Sequence, residues 1–173
     1  PLPFADREHS DRFRSVSLFT GAGLRTAIAE GRADFMPIFL SDIPALFKSG
    51  QIRLDAALLQ LSPPDTHGLC TLGTSVDAAL AAAMTAPILL AEVNARMPRT
   101  HGHSAIPLSR VDAFMATDRD LPSRAPQAES DVEARIGDLI ADLVEDGSCL
   151  QLGIGGIPDA VLSRLHDKHD LGI

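Results

Sequence analysis

The sequence predicts an α/β protein organised around a largely parallel β-sheet. Apolar segments of strand length alternate with segments of helix length, and turns containing glycine or proline separate them. The hydrophobic content of 45% is typical of a globular chain, and no apolar run approaches the roughly 18 residues that a membrane span needs. At 173 residues, the chain is long enough for one domain and the start of another.

The N-terminal part of the chain is expected to contain strands with helices between them. After an irregular lead-in over residues 1–12, strands are predicted at 15–19, 34–40, 54–61 and 87–93. Helices are predicted at 24–30, between a cap at Ser41 and a stop at Gly50, and from Thr74 or Ser75 to Ala83. Loops are predicted at 62–68 and 94–110, and the length of the second indicates a functional or mobile segment.

The C-terminal part begins after a predicted linker at residues 119–128. Ser130-x-x-Glu133 forms a capping box that starts a helix to about Glu145. A strand at 149–154, a glycine turn, a helix with Pro158 in its first turn and the start of one more strand follow. We therefore predict a first α/β domain over residues 1–126, lacking its N-terminal part, and the truncated opening of a second domain over residues 127–173.

The composition argues against several classes of protein. A net charge of −8 and the lack of Trp and Tyr argue against a nucleic-acid partner. Two cysteines imply no disulfide framework and favour a cytoplasmic location. We interpret Cys70 as a buried core residue, and Cys149 more firmly so.

The segment from Gln151 to Leu162 carries the clearest site pattern. A strand that runs through Gly153, Gly155 and Gly156 into a helix aims backbone N–H groups at one point, which suits an anion or a developing oxyanion. Gln151 heads an apolar strand, so we expect it to be buried and to present its amide to a ligand oxygen. The spacing matches neither the dinucleotide fingerprint nor a P-loop. A turn that only lets the helix pack close to the strand explains the pattern equally well.

Two polar loops are further candidates. Residues 94–104 concentrate two arginines and two histidines, which favours an anion such as a carboxylate, although a solvated surface loop is an equal alternative. Asp65 and His67 share one loop and suggest acid–base chemistry, but ordinary turn formation explains them better. No cysteine or carboxylate lies at ligand spacing from the two histidines, so no metal is expected.

Three motifs in a fixed order resemble one enzyme family. They are Ser62-Pro63-Pro64-Asp65-x-His67-Gly68-x-Cys70-x-Leu72-Gly73, Val93-Asn94-x-x-Met97-Pro98-Arg99-Thr100-x-Gly102-x-Ser104 and Gln151-x-Gly153-Ile154-Gly155-Gly156-Ile157-Pro158-x-Ala160-Val161-Leu162. The pattern, which runs from about Ser17 to Ile173, resembles the acetyl-CoA hydrolase/transferase family, especially its 4-hydroxybutyrate and acetate-dependent CoA-transferases.

The resemblance implies two similar α/β domains of CoA-transferase-like fold, with acyl-CoA bound in the cleft between them. It also implies a ping-pong reaction. A glutamate carboxylate attacks the acyl-CoA thioester, the displaced coenzyme A converts the resulting mixed anhydride to a glutamyl-CoA thioester, and an acceptor carboxylate collects the coenzyme A. The expected partners are acyl-CoA and a small carboxylate such as acetate or 4-hydroxybutyrate, in a homo-oligomer without a permanently bound cofactor.

The resemblance also assigns roles to residues of this chain. It implies that Gln151, Gly153, Gly155 and Gly156 position coenzyme A or stabilise the oxyanion. It implies that the two loops line the substrate pocket through Pro64, Asp65, His67, Asn94, Arg99, Thr100 and Ser104.

The resemblance places the nucleophilic glutamate just after Ile173. Neither Glu92 nor Glu145 matches its motif, so we expect this chain alone to be inactive. An acyl-CoA hydrolase, in which water replaces the acceptor, and a non-catalytic binding module of the same fold are the alternatives.

Overall fold

The structure, a computed structural model, describes residues 3–123, 125 and 128–173. The chain divides into two compact units, unit 1 (Pro1–Leu121) and unit 2 (Pro122–Ile173). The domain boundary predicted between residues 126 and 127 falls on residues outside the described part, and it stays a prediction.

Unit 1 alternates strands and helices. Its strands are β1 (Ser15–Ser17), β2 (Ala33–Phe35), β3 (Ala56–Leu61), β4 (Leu69–Thr71), β5 (Ile88–Asn94), β6 (Ala105–Pro107) and β7 (Ala113–Thr117). Its helices are α1 (Ala22–Ala29), α2 (Ile43–Lys48) and α3 (Asp77–Thr85). β1 pairs with β2, and β5 lies between β3 and β7; all these pairings are parallel. The predicted α/β class with a parallel sheet is therefore confirmed.

The core of unit 1 lies on one face of the β3-β5-β7 sheet. Along β3, Ala57, Leu59 and Leu61 are buried, whereas Leu58, between Ala57 and Leu59, is 80% exposed. Leu89 on β5 is fully buried beside them, and α3 covers this face with small side chains such as Ala83. Successive side chains of a strand point to opposite faces, so one face of the sheet is packed while the other is open.

Several predicted boundaries in unit 1 differ from the structure. Strand β2 ends at Phe35 rather than Leu40, because Pro37 has no N–H to donate to a ladder. Helix α2 is capped at Asp42 rather than Ser41, which lies in a 3-10 turn. The predicted loop 94–110 contains β6, which pairs antiparallel with β4, and β7 was not predicted. These short strands depend on distant partners, and local periodicity does not show such pairing.

Unit 2 is built from two packed helices, α4 (Asp131–Ala141) and α5 (Gly156–Leu162). The predicted capping box is confirmed, since Ser130 Oγ accepts from the N–H of Glu133 at 3.3 Å and Glu133 Oε2 accepts from the N–H of Ser130 at 2.8 Å. The helices approach closely at Gly137, where a Cβ atom would lie 2.9 Å from the carbonyl oxygen of Ala160.

The strand predicted at residues 149–154 is not formed. Cys149 makes a single parallel bridge to Gly172, and this segment has no other strand partner in the described residues. A strand needs a continuous neighbour to satisfy its backbone, so the segment stays irregular. Cys149 is consequently exposed, and its interpretation as a core residue was wrong, whereas Cys70 is buried as expected. No helix in the described ranges is long and apolar enough to cross a membrane.

Candidate functional site

The loop between β3 and β4 is organised by Asp65. Its Oδ1 accepts hydrogen bonds from the backbone N–H groups of His67 and Leu69, each at 2.9 Å. These bonds, led by that of Leu69, lower the pKa of Asp65, so the carboxylate is ionised at neutral pH. The turn fixes the backbone of His67, and both His67 and Pro64 are exposed.

Arg99 joins this loop to the second predicted loop. Its Nη2 donates to Asp65 Oδ2 at 2.6 Å, and its Nη1 donates to the carbonyl oxygen of Leu69 at 2.9 Å. The two loops are 34 residues apart at this contact, yet one guanidinium holds both. The interaction uses the fork geometry that distinguishes arginine from lysine.

A hydroxyl cluster (Ser62, Thr71, Thr100 and Ser104) connects the same loops beneath the ion pair. Thr71 Oγ1 donates to Ser62 Oγ at 3.2 Å and accepts from the N–H of Thr100 at 3.3 Å. Thr100 Oγ1 lies 3.2 Å from Ser104 Oγ. Ser62, Thr71 and Ser104 are each at most 2% exposed. Of the predicted pocket residues, Thr100 and Ser104 therefore face the protein interior and hold the loops together.

Asn94 lies at the end of β5 and is fully buried. Its Nδ2 donates to the carbonyl oxygen of Arg119 at 2.9 Å, and its Oδ1 accepts from the backbone N–H groups of Arg96 and Arg119 at 3.0 and 3.3 Å. The carboxamide fastens the segment after β7 to the start of the 94–104 loop.

Glu92 on β5 and Arg119 after β7 form an ion pair that the sequence analysis did not predict. Arg119 donates to both carboxylate oxygens of Glu92, and Thr117 Oγ1 donates to Glu92 Oε1 at 2.7 Å. The hydrogen bonds from Arg119 are the largest cause that lowers the pKa of Glu92 to about 2. The charges are 27 residues apart in sequence, so only the neighbouring positions of β5 and β7 bring them together.

The basic character of the 94–104 loop is partly neutralised within unit 1. Arg96 donates to Asp118 at 2.7 Å and to Asp120 at 2.9 Å. His101 and His103 are exposed. Within the described part of the chain, no three His, Cys, Asp or Glu side chains are grouped closely enough to hold a metal ion.

The glycine turn of unit 2 differs from the sequence expectation in one respect. Gln151 is exposed, and its Nε2 makes only a 3.4 Å contact with the carbonyl oxygen of Leu152, so its predicted burial was wrong. The polar side chain meets water because the expected strand is absent. Gly155 has a φ of 145°, a backbone conformation that would be strained in a residue with a side chain. Helix α5 begins directly after it. The glycine turn is therefore formed, with open space beside Gly153 and Gly155 and the Glu133 side chain packed against Gly156.

A cavity of about 420 Å³ lies elsewhere in unit 1, between the lead-in and α1. Asp6 and Arg32 are its charged lining residues. None of the predicted site residues lines it, so the cavity adds no support to the candidate site.

Unit 1 is thus an α/β domain in which the polar loops that follow the parallel strands β3 and β5 are joined to each other. Residues 3–122 match the family model for the acetyl-CoA hydrolase/transferase N-terminal domain. The chain therefore belongs to the acetyl-CoA hydrolase/transferase family.

The curated relatives that this chain matches include proteins named as CoA-transferases. The chain is 49% identical over 174 residues to a succinyl-CoA:acetate/propanoyl-CoA:succinate CoA transferase of Fasciola hepatica, covering 100% of this chain and 36% of the relative. It is 46% identical over 161 residues to a 4-hydroxybutyrate coenzyme A transferase of Clostridium kluyveri, covering 93% of this chain and 38% of the relative. The chain thus spans little more than a third of the curated relatives it matches.

Solved structures show the same relationship. A 4-hydroxybutyrate CoA-transferase from Porphyromonas gingivalis matches with a TM-score of 0.72 and 36% identity, covering 96% of this chain and 44% of that one. RipA from Yersinia pestis matches with a TM-score of 0.83 and 32% identity, covering 98% of this chain and 41% of that one. The predicted CoA-transferase-like fold is confirmed.

Proposed function

We propose that this chain is part of a CoA-transferase that moves coenzyme A between an acyl-CoA and a small carboxylate. The similar proteins of Fasciola hepatica and Clostridium kluyveri are CoA-transferases by name, and the first two sequence motifs lie within the residues that match the family model. Acyl-CoA and a carboxylate such as acetate or 4-hydroxybutyrate are the substrates in this proposal. The protein works as a homo-oligomer and without a permanently bound cofactor.

The observation that carries the proposal is the junction of the two motif loops. The Asp65–Arg99 ion pair and the hydroxyl cluster turn two distant motifs into one rigid surface. Their polar groups are largely used to hold the loops, so Asp65, Arg99, Thr100 and Ser104 act as positioning residues. Pro64 and His67 are exposed on this surface, and they are placed to contact the acyl or carboxylate group.

The glycine turn supplies backbone donors to the reaction in this proposal. Nothing lies within 4 Å of the position of a Cβ atom on Gly153 or Gly155, so a substrate oxygen has room to approach the backbone there, whereas the Glu133 carboxylate occupies that position at Gly156. The N–H groups of Gly155 and Gly156 then stabilise the oxyanion that forms when a carboxylate adds to the thioester carbonyl. The exposed Gln151 orients the thioester.

We infer that the 173-residue chain has no nucleophilic glutamate of its own. Glu92 is held by Arg119 and has a pKa of about 2, which makes it a poor nucleophile. Glu133 is engaged with Ser130 in the capping box. The resemblance to the family places the nucleophilic glutamate after residue 173 in a longer chain, so we expect the 173-residue chain alone to be inactive.

The test compares this chain with a longer product of the same reading frame. Each is incubated with acetyl-CoA and then with borohydride, which reduces a glutamyl thioester to a stable product that intact-mass analysis detects. We expect modification only of the longer chain, beyond Ile173. Modification within residues 1–173 would overturn the assignment of the nucleophile.

Product analysis separates transfer from hydrolysis. The longer chain is incubated with acetyl-CoA, with and without propionate or 4-hydroxybutyrate. A transferase forms the new acyl-CoA only when the acceptor is present. Release of free coenzyme A at the same rate without an acceptor would instead identify a hydrolase. If neither product forms, the binding-module alternative stands.

A single substitution tests whether the junction of the two loops positions the substrate-binding residues. In the longer chain, Asp65→Asn removes the charge that Arg99 binds, which weakens one of the contacts that hold the loops in place, and we expect kcat/KM to fall by roughly 10- to 100-fold. Asp55→Asn, at an exposed carboxylate ahead of β3, is the matched control and should leave kcat/KM unchanged. Equal rates for both variants would refute the positioning role.

A further inference from the structure

Gly73, two residues after β4, is enclosed by consecutive residues of the 94–104 loop. A Cβ atom on Gly73 would overlap Met97 Sδ, and it would lie 2.5 Å from Met97 Cγ and 3.2 Å from the carbonyl oxygen of Pro98. Thr100 Oγ1 donates to the carbonyl oxygen of Gly73 at 3.1 Å. No other described glycine of unit 1 has an atom within 4 Å of its Cβ position. The close approach is therefore particular to Gly73.

The side chain of Met97 has little freedom to move away from Gly73. Met97 is 6% exposed, and its backbone N–H donates to the carbonyl oxygen of Asn94 at 3.0 Å. Its Sδ also lies 4.0 Å from Thr74 Oγ1. Methionine adapts to gaps mainly by rotation near its end, but Cγ is only two bonds from Cα. A group on Gly73 would therefore displace the backbone at Met97 as well as its side chain.

The position of Met97 determines where Arg99 can reach. Arg99 follows two residues later, and its guanidinium donates to Asp65 Oδ2 and to the carbonyl oxygen of Leu69. The Arg99 and Asp65 side chains are 39% and 26% exposed, and an ion pair with this exposure holds its partners only weakly by charge alone. The packing of Met97 on Gly73 is the buried contact beside this pair.

We propose that Met97 is a positioning residue, which acts by packing on Gly73. It holds Arg99 against Asp65, and it thereby orders the 62–68 loop that carries His67. Gly73 is needed for this space in addition to its φ of 60°. The consequence for catalysis rests on the proposed transferase function, whereas the ordering of the loop does not.

Hydrogen exchange tests the ordering of the loop without any substrate. The 173-residue chain and its Gly73→Ala variant are compared by mass spectrometry over residues 63–70, which include two N–H groups bound to Asp65. We expect this segment to exchange about tenfold faster or more in the variant, and residues 88–93 to be unchanged.

Gly50→Ala is the matched control for backbone strain. Gly50 has a φ of 76°, close to that of Gly73, but nothing lies within 4 Å of its Cβ position. Equal exchange of residues 63–70 in the Gly73→Ala and Gly50→Ala variants would overturn the proposal.

Variants of Met97 decide the question even if Gly73→Ala does not fold. Met97→Ala removes the packed side chain and should also speed exchange of residues 63–70 by about tenfold. Met97→Leu nearly conserves the volume and should keep the exchange of the parent. Once Met97 is alanine, Gly73→Ala should cost no more than Gly50→Ala, because the overlapping atoms are gone. Fully additive effects of Gly73→Ala and Met97→Ala would contradict the contact.

Kinetics of the longer chain test the catalytic consequence. Met97→Ala should raise KM for the acceptor carboxylate by roughly tenfold, because His67 is displaced, and Met97→Leu should retain the KM of the parent. A loss of stability alone would lower kcat through the folded fraction and leave KM unchanged, and that result would exclude a role in placing the substrate. If the parent transfers no coenzyme A, the proposed function fails, and the exchange data still decide whether Met97 orders the loop.

Discussion

Replacement of Asn94 by alanine should destabilise unit 1 more than its position at a strand end suggests. The carboxamide is fully buried and makes three hydrogen bonds to the backbone of Arg96 and Arg119. Alanine removes all three and leaves two N–H groups and one carbonyl oxygen to find water or remain unpaired. The side chain of Asn94 thus holds the segment after β7.

The magnitude follows from the partners that are left behind. A buried polar group without a partner costs about 1–3 kcal/mol, and the residues carrying the three groups here are partly solvated, so we expect a loss of about 2–4 kcal/mol. With a urea m-value of about 2 kcal/mol/M for a unit of this size, the unfolding midpoint should fall by roughly 1–2 M.

Urea unfolding followed by far-ultraviolet circular dichroism measures this change, because the chain has no Trp or Tyr for fluorescence. Gln151→Ala is the matched control. It also removes a side-chain amide, but that amide is exposed, so its effect should stay within about 0.5 kcal/mol. A midpoint for Asn94→Ala within 0.3 M of the parent, on the order of the error of such fits, would refute the structural role.

Two further predictions concern charge and close packing. Because the pKa of Glu92 is lowered from 4.5 to about 2 chiefly by Arg119, its ion pair stabilises the fold above pH 4.5, and this contribution is lost as pH falls toward 2. Glu92→Gln should therefore reduce the pH dependence of thermal stability between pH 4.5 and 2, and an unchanged acid profile would contradict the pairing. Gly137→Ala should destabilise unit 2 by about 1–3 kcal/mol, because its Cβ would lie 2.9 Å from the carbonyl oxygen of Ala160. Gly153→Ala, with open space around it, is the control in the same urea titration, and equal midpoints would exclude the close contact.

Local patterns predicted the elements that local forces stabilise. The capping box at Ser130 and Glu133 was predicted because its partners are three residues apart and satisfy each other. β3 and β5 were predicted within two residues, because their apolar runs are long enough to require burial. The sequence analysis did not predict β6 and β7, and it wrongly predicted a strand at 149–154. In each case the outcome depends on whether a distant strand is available as a partner.

The sequence by itself determined the family, the parallel α/β class and the identity of the two motif loops. Only the tertiary structure decided which groups the loop residues contact. The 34-residue separation between Asp65 and Arg99 is closed by the fold, and the ion pair uses groups that the sequence alone suggested for substrate. The exposure of Gln151 and the burial of Asn94 were likewise decided by packing. The physical reason is that a polar side chain bonds to whichever group the fold brings within about 3 Å, and sequence spacing does not contain that distance.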